Sequence, residues 1–416
     1  MSFETDPRWT ALTSHLTLDR PAAHSGELVG RHDAIRKVFD IVSTPGEHIA
    51  MYGERGIGKT SLVNVLANEL RAAQVGVFVA AVQPGDSFDA LIRRAVGEAQ
   101  GEPNDEMRFV PLPPNSEAPD SEATDSEAEG DPLAEMLPEG EAAPGDIVEF
   151  LDQTLAGHPV LILDDYDRLD SAMTDRAMSD LVKGLAESKA QATVVFVGQG
   201  DSADALISNH DRVFESLHDL PLRLLRPSET LFLIERLETA SGMPLNDDAK
   251  KLILMASLGL PGAVQSLTRD AVAATLSVSG DTVEWTQALN GLARHAEATA
   301  AEVREPVDDM LGDDPDDEFA QTLFAIAAAH TDWYGRFFKS QVTVSLNRRY
   351  PALAQSEDEI VATLDSLCGD DPGSLFRKRG TEYRFANIWM KQYLLTRYLA
   401  HRYGVPVADS AHAATG

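Results

Sequence analysis

The chain has 416 residues, of which 43% are hydrophobic, and this length and composition predict a packed globular protein of about two or three domains. Its net charge of −32 disfavours contact with nucleic acid or anionic membranes unless basic groups are collected on one face. The single cysteine, Cys368, excludes a disulfide framework or a thiolate metal cluster within one chain and fits a reducing compartment. The N-terminus has no signal-peptide pattern and no segment reaches roughly 18 uninterrupted apolar residues, so we expect a soluble, cytoplasmic protein without membrane partners.

The first element that carries chemistry is a glycine-rich loop after a short apolar run. Residues 49–52 read IAMY, which is typical of a buried strand, and residues 53–60 read GERGIGKT, a complete Walker A loop. Such a loop folds its backbone N–H groups around the α- and β-phosphates of a nucleotide, while Lys59 reaches the β/γ oxygens and Thr60 offers a hydroxyl to Mg²⁺. Apolar residues then recur at helical spacing, so the phosphates would also lie at a helix N-terminus. The sequence therefore predicts ATP and Mg²⁺ as cofactors. The predicted contacts of this loop are Gly53, Glu54, Arg55, Gly56, Ile57, Gly58, Lys59, Thr60 and Ser61.

A strongly acidic stretch follows the second predicted strand. From Gly101 to Asp146 there are fourteen acidic residues and one arginine, so this stretch carries −13 of the net charge of −32. It is rich in Pro, Ser, Glu and Ala and has too little apolar surface to offset the entropy of ordering, which predicts a disordered insertion over about 101–145. A solvated loop without a role, an acidic decoy of nucleic acid and a partner-docking segment are all compatible with this composition.

Strand and helix patterns alternate from Glu47 to Leu225, which predicts a parallel sheet covered by helices, an α/β core. The third strand ends in two acids, Asp164 and Asp165, which is the form of a Walker B segment. The first acid would hold the Mg²⁺ shell together with Thr60, and the second would orient the attacking water. The predicted strands are His48 to Tyr52, Val75 to Val82, Val160 to Asp164, Thr193 to Val197 and Asp219 to Leu225.

These motifs resemble those of the P-loop ATPases of the AAA+ and STAND branches, especially the replication-initiator-like, archaeal-type and transposition-regulator ATPases, over roughly Leu28 to Tyr403. Upstream of the loop, residues 27–35 read ELVGRHDAI, which is similar to the Gly-Arg box of these families. The resemblance implies that Val29, Gly30 and Arg31 lie near the adenine. A Gly-Arg pair by itself is also typical of a turn before a helix.

Three further site residues follow from this resemblance. These families place a polar sensor of the γ-phosphate after the fourth strand, and the candidate is Gln199. In the segment HDRVFESL, Arg212 is the candidate arginine finger, a cation that reaches a neighbouring subunit's nucleotide, although an arginine there is also typical of a surface ion pair. Pro261 and Gly262 replace the sensor arginine of many AAA+ proteins and resemble the STAND motif whose proline lies against the nucleotide, but a proline also starts many helices.

The C-terminal third is predicted to be helical and to end in a winged helix. The pattern is helical from Pro227 to about Ala300, as in the lid of these families, and the acidic stretch 301–318 predicts a solvated linker. Helical patterns at 319–330, 335–347 and 356–367, followed by a hairpin over 374–385, predict a winged helix over 319–404.

Two roles are open for this winged helix. Its basic residues could contact the phosphates of duplex DNA nonspecifically. The helix expected in the major groove has four acids and no basic residue, so a structural or protein-docking role is the alternative. The basic residues are Arg377, Lys378, Arg379, Arg384, Lys391, Arg397 and Arg402.

The predicted fold is therefore α/β, a P-loop parallel sheet core (28–226) with a helical lid (227–300) and a C-terminal winged-helix domain, between an N-terminal extension (1–27) and a tail (405–416). The predicted function is slow ATP hydrolysis by a homo-oligomeric molecular switch that binds ATP and ADP. Its partner is either duplex DNA, in a regulatory ATPase, or a separate effector protein, in a signalling ATPase such as one of antiviral defence. Nucleotide binding as a purely structural feature is the non-enzymatic alternative.

Overall fold

The structure, a computed structural model, describes residues 3–18, 20–98, 137–138, 140–154, 158–188, 191–207, 216–312, 314–353, 355–369, 371 and 373–405. No helix in these ranges is long and apolar enough to cross a membrane. In chain order the helices are α1 (Pro7–His15), α2 (His32–Val42), α3 (Lys59–Ala72), α4 (Phe88–Glu98), α5 (Pro144–Glu149), α6 (Ala172–Ser188), α7 (Ala203–Leu206), α8 (Pro227–Ser241), α9 (Asp247–Ser257), α10 (Pro261–Ser277), α11 (Trp285–Glu297), α12 (Ala301–Leu311), α13 (Glu318–Ala327), α14 (Lys339–Arg349), α15 (Glu357–Ser366) and α16 (Ile388–Arg402). The strands are β1 (His48–Tyr52), β2 (Val77–Ala81), β3 (Val160–Asp164), β4 (Thr193–Gly198), β5 (Leu217–Pro221), β6 (Arg336–Phe337), β7 (Phe376–Arg379) and β8 (Glu382–Phe385).

The chain divides into two compact units. One, which we call the sheet unit, comprises Ala22–Gly53 and Lys59–Leu222. The other, which we call the C-terminal unit, comprises Met1–Pro21, Glu54–Gly58 and Arg223–Gly416. Five residues of the Walker A loop therefore belong to the C-terminal unit, although the residues on either side of them belong to the sheet unit.

The sheet unit is built on five parallel strands in the order β2-β3-β4-β1-β5. Strands β1, β3 and β4 are buried along their whole length, which accounts for the uninterrupted apolar runs in their sequences. Because β4 pairs with both β1 and β3, the carboxyl ends of these three strands lie side by side at one edge of the sheet. The predicted α/β class is confirmed, and β5 begins two residues before its predicted start.

The end of the acidic insertion is part of the folded sheet unit. Residues 101–136, most of the predicted insertion, lie outside the described residues. Its predicted end near residue 145 is wrong, because Leu137 and Ala142 are each only 5% exposed. Arg93 of α4 also donates to the carbonyl oxygens of Pro138, at 2.9 Å, and Gly140, at 2.6 Å. Two apolar side chains therefore join this segment to the core of the sheet unit, and two backbone acceptors join it to α4.

The C-terminal unit contains the helices of the predicted lid and also the start of the chain. Helix α10 is buried over most of its length, and α1 packs against α8 and α10. Next to α1, the Thr17 N–H donates to Gln265 Oε1 at 2.6 Å, and Gln265 Nε2 donates back to Thr17 Oγ1 at 2.8 Å. The predicted N-terminal extension therefore folds with the helices of the predicted lid up to Pro21.

The predicted solvated linker over 301–318 is wrong for its first eleven residues, which form α12. Val303, Val307 and Leu311 repeat at helical spacing and are all buried. On α12, Asp308 accepts a hydrogen bond from Arg397 of α16 at 2.6 Å. The linker interpretation failed because the acids between these apolar residues hid a narrow buried stripe.

Residues 318–402, which we call the C-terminal module, contain α13 to α16 and a small antiparallel sheet in the order β6-β8-β7. The sheet packs aromatic rings together: Phe376 lies edge-on to Phe385, with ring centroids 4.9 Å apart, and Phe337 lies edge-on to Phe376 at 5.9 Å. Helix α14 begins at Lys339, later than predicted, because the two residues of β6 pair with β8. The hairpin turns at Gly380, whose φ of +61° favours glycine.

Candidate nucleotide-binding site

The Walker A loop has the backbone that its glycines predict. Gly56 and Gly58 have φ angles of +80° and +92°, in the region that other residues rarely adopt. Lys59 is the first residue of α3, and its Nζ donates to the Gly53 carbonyl oxygen at 3.0 Å. A bridge from the lysine across its own loop keeps the ammonium group near the helix N-terminus, where a phosphate would be bound.

The oxygen ligands that Mg²⁺ requires are found together in the sheet unit. Asp164, at the end of β3, is 6% exposed, and the Thr60 hydroxyl is close to its carboxylate. Burial raises the pKa of Asp164, while its hydrogen bonds and the nearby Lys59 ammonium act in the opposite direction. A hydroxyl beside a carboxylate is a hard-oxygen donor pair, so these two residues fit Mg²⁺.

Asp165, the predicted water-orienting acid, has an unusual backbone. Its φ of +54° and ψ of +35° lie in the left-handed region, which aspartate tolerates better than most residues. Asp165 is the first residue after β3, and its backbone N–H donates to Asp164 Oδ1 at 2.9 Å. The Asp165 carboxylate is 3.6 Å from Arg168 Nη1 and is 45% exposed. The two acids of the Walker B segment are therefore separated into a buried one and an accessible one.

Gln199 directly follows β4, which places it at the same sheet edge as the two acids. Its side chain is exposed, and its backbone N–H donates to Asp167 Oδ1 at 2.7 Å. Asp167 thus links the segment after the Walker B strand to the segment after β4. The sequence analysis missed Asp167, although its place two residues after Asp165, in the turn that follows β3, was a usable signal.

The residues of the Gly-Arg box lie at the start of α2. Gly30 has a φ of +70°, and Arg31, which is 3% exposed, is the N-terminal capping residue of that helix. Val29 is half-buried. Ser61 is engaged within the sheet unit, since its hydroxyl accepts the Ala22 N–H at 3.3 Å. The role of these four residues in binding adenine or phosphate stays a prediction.

Pro261 is the first residue of α10, in the C-terminal unit. The next residue, Gly262, lies beside the Walker A loop: a Cβ atom placed on it would be 3.9 Å from the Gly56 carbonyl oxygen and 3.9 Å from Trp389. The start of α10 is therefore near the loop, and the contact of Pro261 with nucleotide stays a prediction. Arg212, the candidate finger, lies outside the described residues.

A family model described as an AAA ATPase domain matches residues 27–197, the stretch that contains the Gly-Arg box, both Walker segments and most of the sheet. Residues 27–197 are therefore identified as a P-loop ATPase domain of the AAA+ group. Its fold resembles that of the Walker-type ATPase PABY2304 of Pyrococcus abyssi, with 13% identity and a TM-score of 0.54 over 91% of this chain and 99% of that one.

Two further solved structures are similar to the ATPase at lower scores. The Holliday junction branch migration motor RuvB of Thermotoga maritima has 15% identity and a TM-score of 0.41 over 94% of this chain and 100% of its own. The ORC1 protein of Aeropyrum pernix, solved in complex with DNA, has 15% identity and a TM-score of 0.44 over 95% and 98%. The chain has no match among curated proteins.

Proposed function

We propose that this ATPase is a molecular switch in which nucleotide at the Walker A loop controls the state of the C-terminal module. The observation that carries the proposal is a direct contact between the two. Trp389 of α16 donates a hydrogen bond to the backbone of Arg55, and Arg384 of β8 forms an ion pair with Glu54. Any rearrangement of the loop around a phosphate therefore changes contacts made by the module.

For hydrolysis, we assign one task to each residue of the candidate site. Thr60 and Asp164 would hold Mg²⁺, which when bound offsets the charge of the phosphate oxygens. Asp165 would orient the attacking water, and Gln199 would contact the γ-phosphate. Asp165 is one methylene shorter than the glutamate of many AAA+ enzymes and is near Arg168, so slow turnover is the expectation.

We propose that the C-terminal module is a winged helix. In its favour, the element order is helix, short strand, two helices and a hairpin, followed by a closing helix. The three strands pair as a winged helix requires, with β8 between β6 and β7. In this interpretation α15 is the helix that would face a partner, and it begins with Glu357, Asp358 and Glu359.

The geometry favours a protein partner over DNA. Among the basic residues that could have contacted DNA, Lys378 pairs with Asp365 at 2.7 Å, Arg397 pairs with Asp308 at 2.6 Å, and Lys391 is buried. Arg384 is paired with Glu54, and Arg402 donates to the Tyr398 hydroxyl. The three carboxylate pairs and the burial of Lys391 reduce the positive charge of the hairpin and final helix, so a signalling switch that recruits a separate protein is the better-supported role.

The nucleotide part of the proposal is tested at Lys59. Lys59→Ala should abolish ATP binding in calorimetry, because the phosphate site loses its lysine while the buried core is unchanged. Lys183→Ala, which removes an exposed lysine of α6 in the same unit, is the matched control and should bind ATP like the wild type. Unchanged ATP affinity in a folded Lys59→Ala variant would contradict the site.

The partner part is tested by titrating duplex DNA at several salt concentrations, with and without ATP. The proposal predicts no specific complex in either state. A strong affinity that falls steeply with salt and is weakened by Arg379→Ala, at the exposed hairpin tip, would instead support the DNA-associated role.

A further inference from the structure

A tryptophan from α16, the last described helix, contacts the Walker A loop. The Trp389 indole N–H donates to the Arg55 carbonyl oxygen at 3.0 Å. Its ring lies so close to Gly56 that a Cβ atom on this glycine would be 2.6 Å from Trp389 Cζ2. Glycine at position 56 thus serves two purposes, a φ of +80° and room for an indole ring.

Two ion pairs flank this tryptophan contact. Arg384 Nη1 lies 3.4 Å from Glu54 Oε1, and the two side chains are only 23% and 14% exposed. Arg55 Nη1 lies 2.7 Å from Glu302 Oε1 of α12, but these side chains are 65% and 62% exposed. Water screens the second pair much more than the first, so the Arg384–Glu54 pair is the one that holds the loop more firmly.

Trp389 and Arg384 are themselves held by rigid elements. Trp389 is at the first turn of α16, where its backbone N–H donates to Asn387 Oδ1 at 2.9 Å. Most residues of α16 are buried, and Arg384 is in β8, the central strand of the small sheet. Groups mounted on such elements fix what they contact, whereas groups on a loop move with it.

The direction of the Trp389 hydrogen bond decides whether this contact would support or oppose nucleotide binding. A phosphate is bound by backbone N–H groups of a Walker A loop, and Trp389 uses a carbonyl oxygen of the same loop. The tryptophan therefore does not compete with phosphate for a donor. The Arg55–Gly56 peptide is trans, so its C=O and N–H point in opposite directions, and Trp389 holds the carbonyl while the Gly56 N–H faces away from this contact.

We infer that Trp389 and Arg384 are positioning residues that hold the Walker A loop in the conformation that binds phosphate. The inference rests on nucleotide binding by the loop and on no assumption about the partner of the switch. Fixing the loop before binding spares the entropy of ordering it when ATP arrives, so the C-terminal module contributes to ATP affinity without touching ATP.

The test measures the dissociation constant for ATP, in the presence of Mg²⁺, on the full-length chain. Trp389→Phe keeps an aromatic ring against Gly56 and removes the N–H donor, and should weaken ATP binding about three- to tenfold, the range expected for one hydrogen bond. Trp389→Ala should weaken it further. Trp333→Phe, an exposed tryptophan of the same module, is the control and should leave the constant unchanged.

A purely structural role would show in the melting temperature and not in ATP affinity, so both are measured. Because Trp389→Ala could disturb α16, Arg384→Gln and Glu54→Gln provide a second route. Each variant should raise the dissociation constant for ATP. The double variant should raise it no more than either single variant does, because both changes remove the same ion pair. Kinetically, KM should rise more than kcat falls.

Two outcomes would overturn the inference. Unchanged ATP affinity in folded Trp389→Phe and Arg384→Gln variants would show that the contact does not position the loop. Tighter ATP binding would show that the module restrains the loop against nucleotide. Both outcomes differ from failure of the proposed function. In that case Lys59→Ala would bind ATP as tightly as the wild type does.

Discussion

Burial of Lys391 in the C-terminal module makes its charged form less favourable. Its side chain is buried, and burial lowers its pKa to about 7. Its Nζ lies 3.4 Å from the Ala329 carbonyl oxygen and 3.5 Å from Thr331 Oγ1, long distances for hydrogen bonds from a charged donor. The unfolded chain, in which the pKa would be near 10.5, therefore binds the proton more tightly than the folded protein.

This difference predicts the effect of Lys391→Met. Between pH 7 and about 10.5 the unfolded state holds more protons, so wild-type stability from this group rises with pH and is lowest at pH 7 and below. The variant should be more stable at pH 7 by about 2–4 kcal/mol, since each pKa unit corresponds to about 1.4 kcal/mol. Denaturant unfolding at pH 7 and pH 9 measures it, and the advantage should shrink at the higher pH.

Lys339→Met is the control for this prediction, because Lys339 is an exposed lysine of the same module. It should change stability by less than about 0.5 kcal/mol at either pH. A loss of stability in Lys391→Met at pH 7 would mean that the charged ammonium makes contacts worth more than its burial costs.

The sequence predicts some site residues well and others not at all, for a physical reason. Lys59, Thr60 and Asp164 could be found because Lys59 and Thr60 follow β1 at a fixed short spacing and Asp164 ends β3, so local pattern determines their position. Trp389 and Arg384 reach the Walker A loop across more than 300 residues, and a contact of that kind arises only from the packing of whole elements. Neither side chain belongs to a pattern that indicates a nucleotide site.

Helix α12 makes the same point at the scale of an element. The sequence around Asp308 is so acidic that it predicts a solvated linker, yet a helix forms because its apolar residues are buried and Asp308 has partners. Asp308 accepts from Arg397 at 2.6 Å and from the Tyr393 hydroxyl at 3.0 Å. A composition average cannot distinguish acids that are exposed from acids that face a basic residue of another helix.

Asp308→Asn is therefore expected to destabilise the protein by about 1–3 kcal/mol, because it leaves the half-buried Arg397 guanidinium without its carboxylate. Asp309→Asn, a change of the exposed neighbour on the same helix, should be nearly neutral. Denaturant unfolding of both variants measures the difference. Equal effects would indicate that α12 does not dock through Asp308.

The insertion gives a second element-scale prediction. Deleting residues 102–136 should leave the melting temperature and ATP affinity nearly unchanged, since this composition offers little apolar surface to bury. Extending the deletion to residue 141 should lower the melting temperature, because it removes buried Leu137 and the carbonyl oxygens that accept from Arg93. A large loss with the shorter deletion would show that the segment folds against the core.

At the scale of the whole molecule, the division of the chain crosses the Walker A loop. Gly53 and Lys59 belong to the sheet unit, whereas Glu54–Gly58 belong to the C-terminal unit. The sequence could not have predicted this division, because the Walker A pattern fixes only its glycines, its lysine and its hydroxyl residue and does not indicate which other parts of the chain pack against residues 54–58.

The catalytic site is complete either within one chain or only between two chains, and Arg212 distinguishes the two arrangements. If Arg212 is a finger supplied to a neighbouring subunit, Arg212→Ala should keep ATP affinity and lose turnover by about 10³-fold or more, as for other arginine fingers. Asp165→Asn should also lose turnover, because the water is no longer oriented. Steady-state phosphate release measures both variants.

Mixing these two inactive variants decides between the arrangements. In a mixed assembly, one interface pairs the intact Arg212 of one subunit with the intact Asp165 of the other, so activity should return and should increase with protein concentration. Rescue is impossible when each chain hydrolyses ATP alone, since every chain then carries one defect. If the mixture stays inactive and wild-type specific activity is independent of concentration, Arg212 is a surface residue and the switch operates as a monomer.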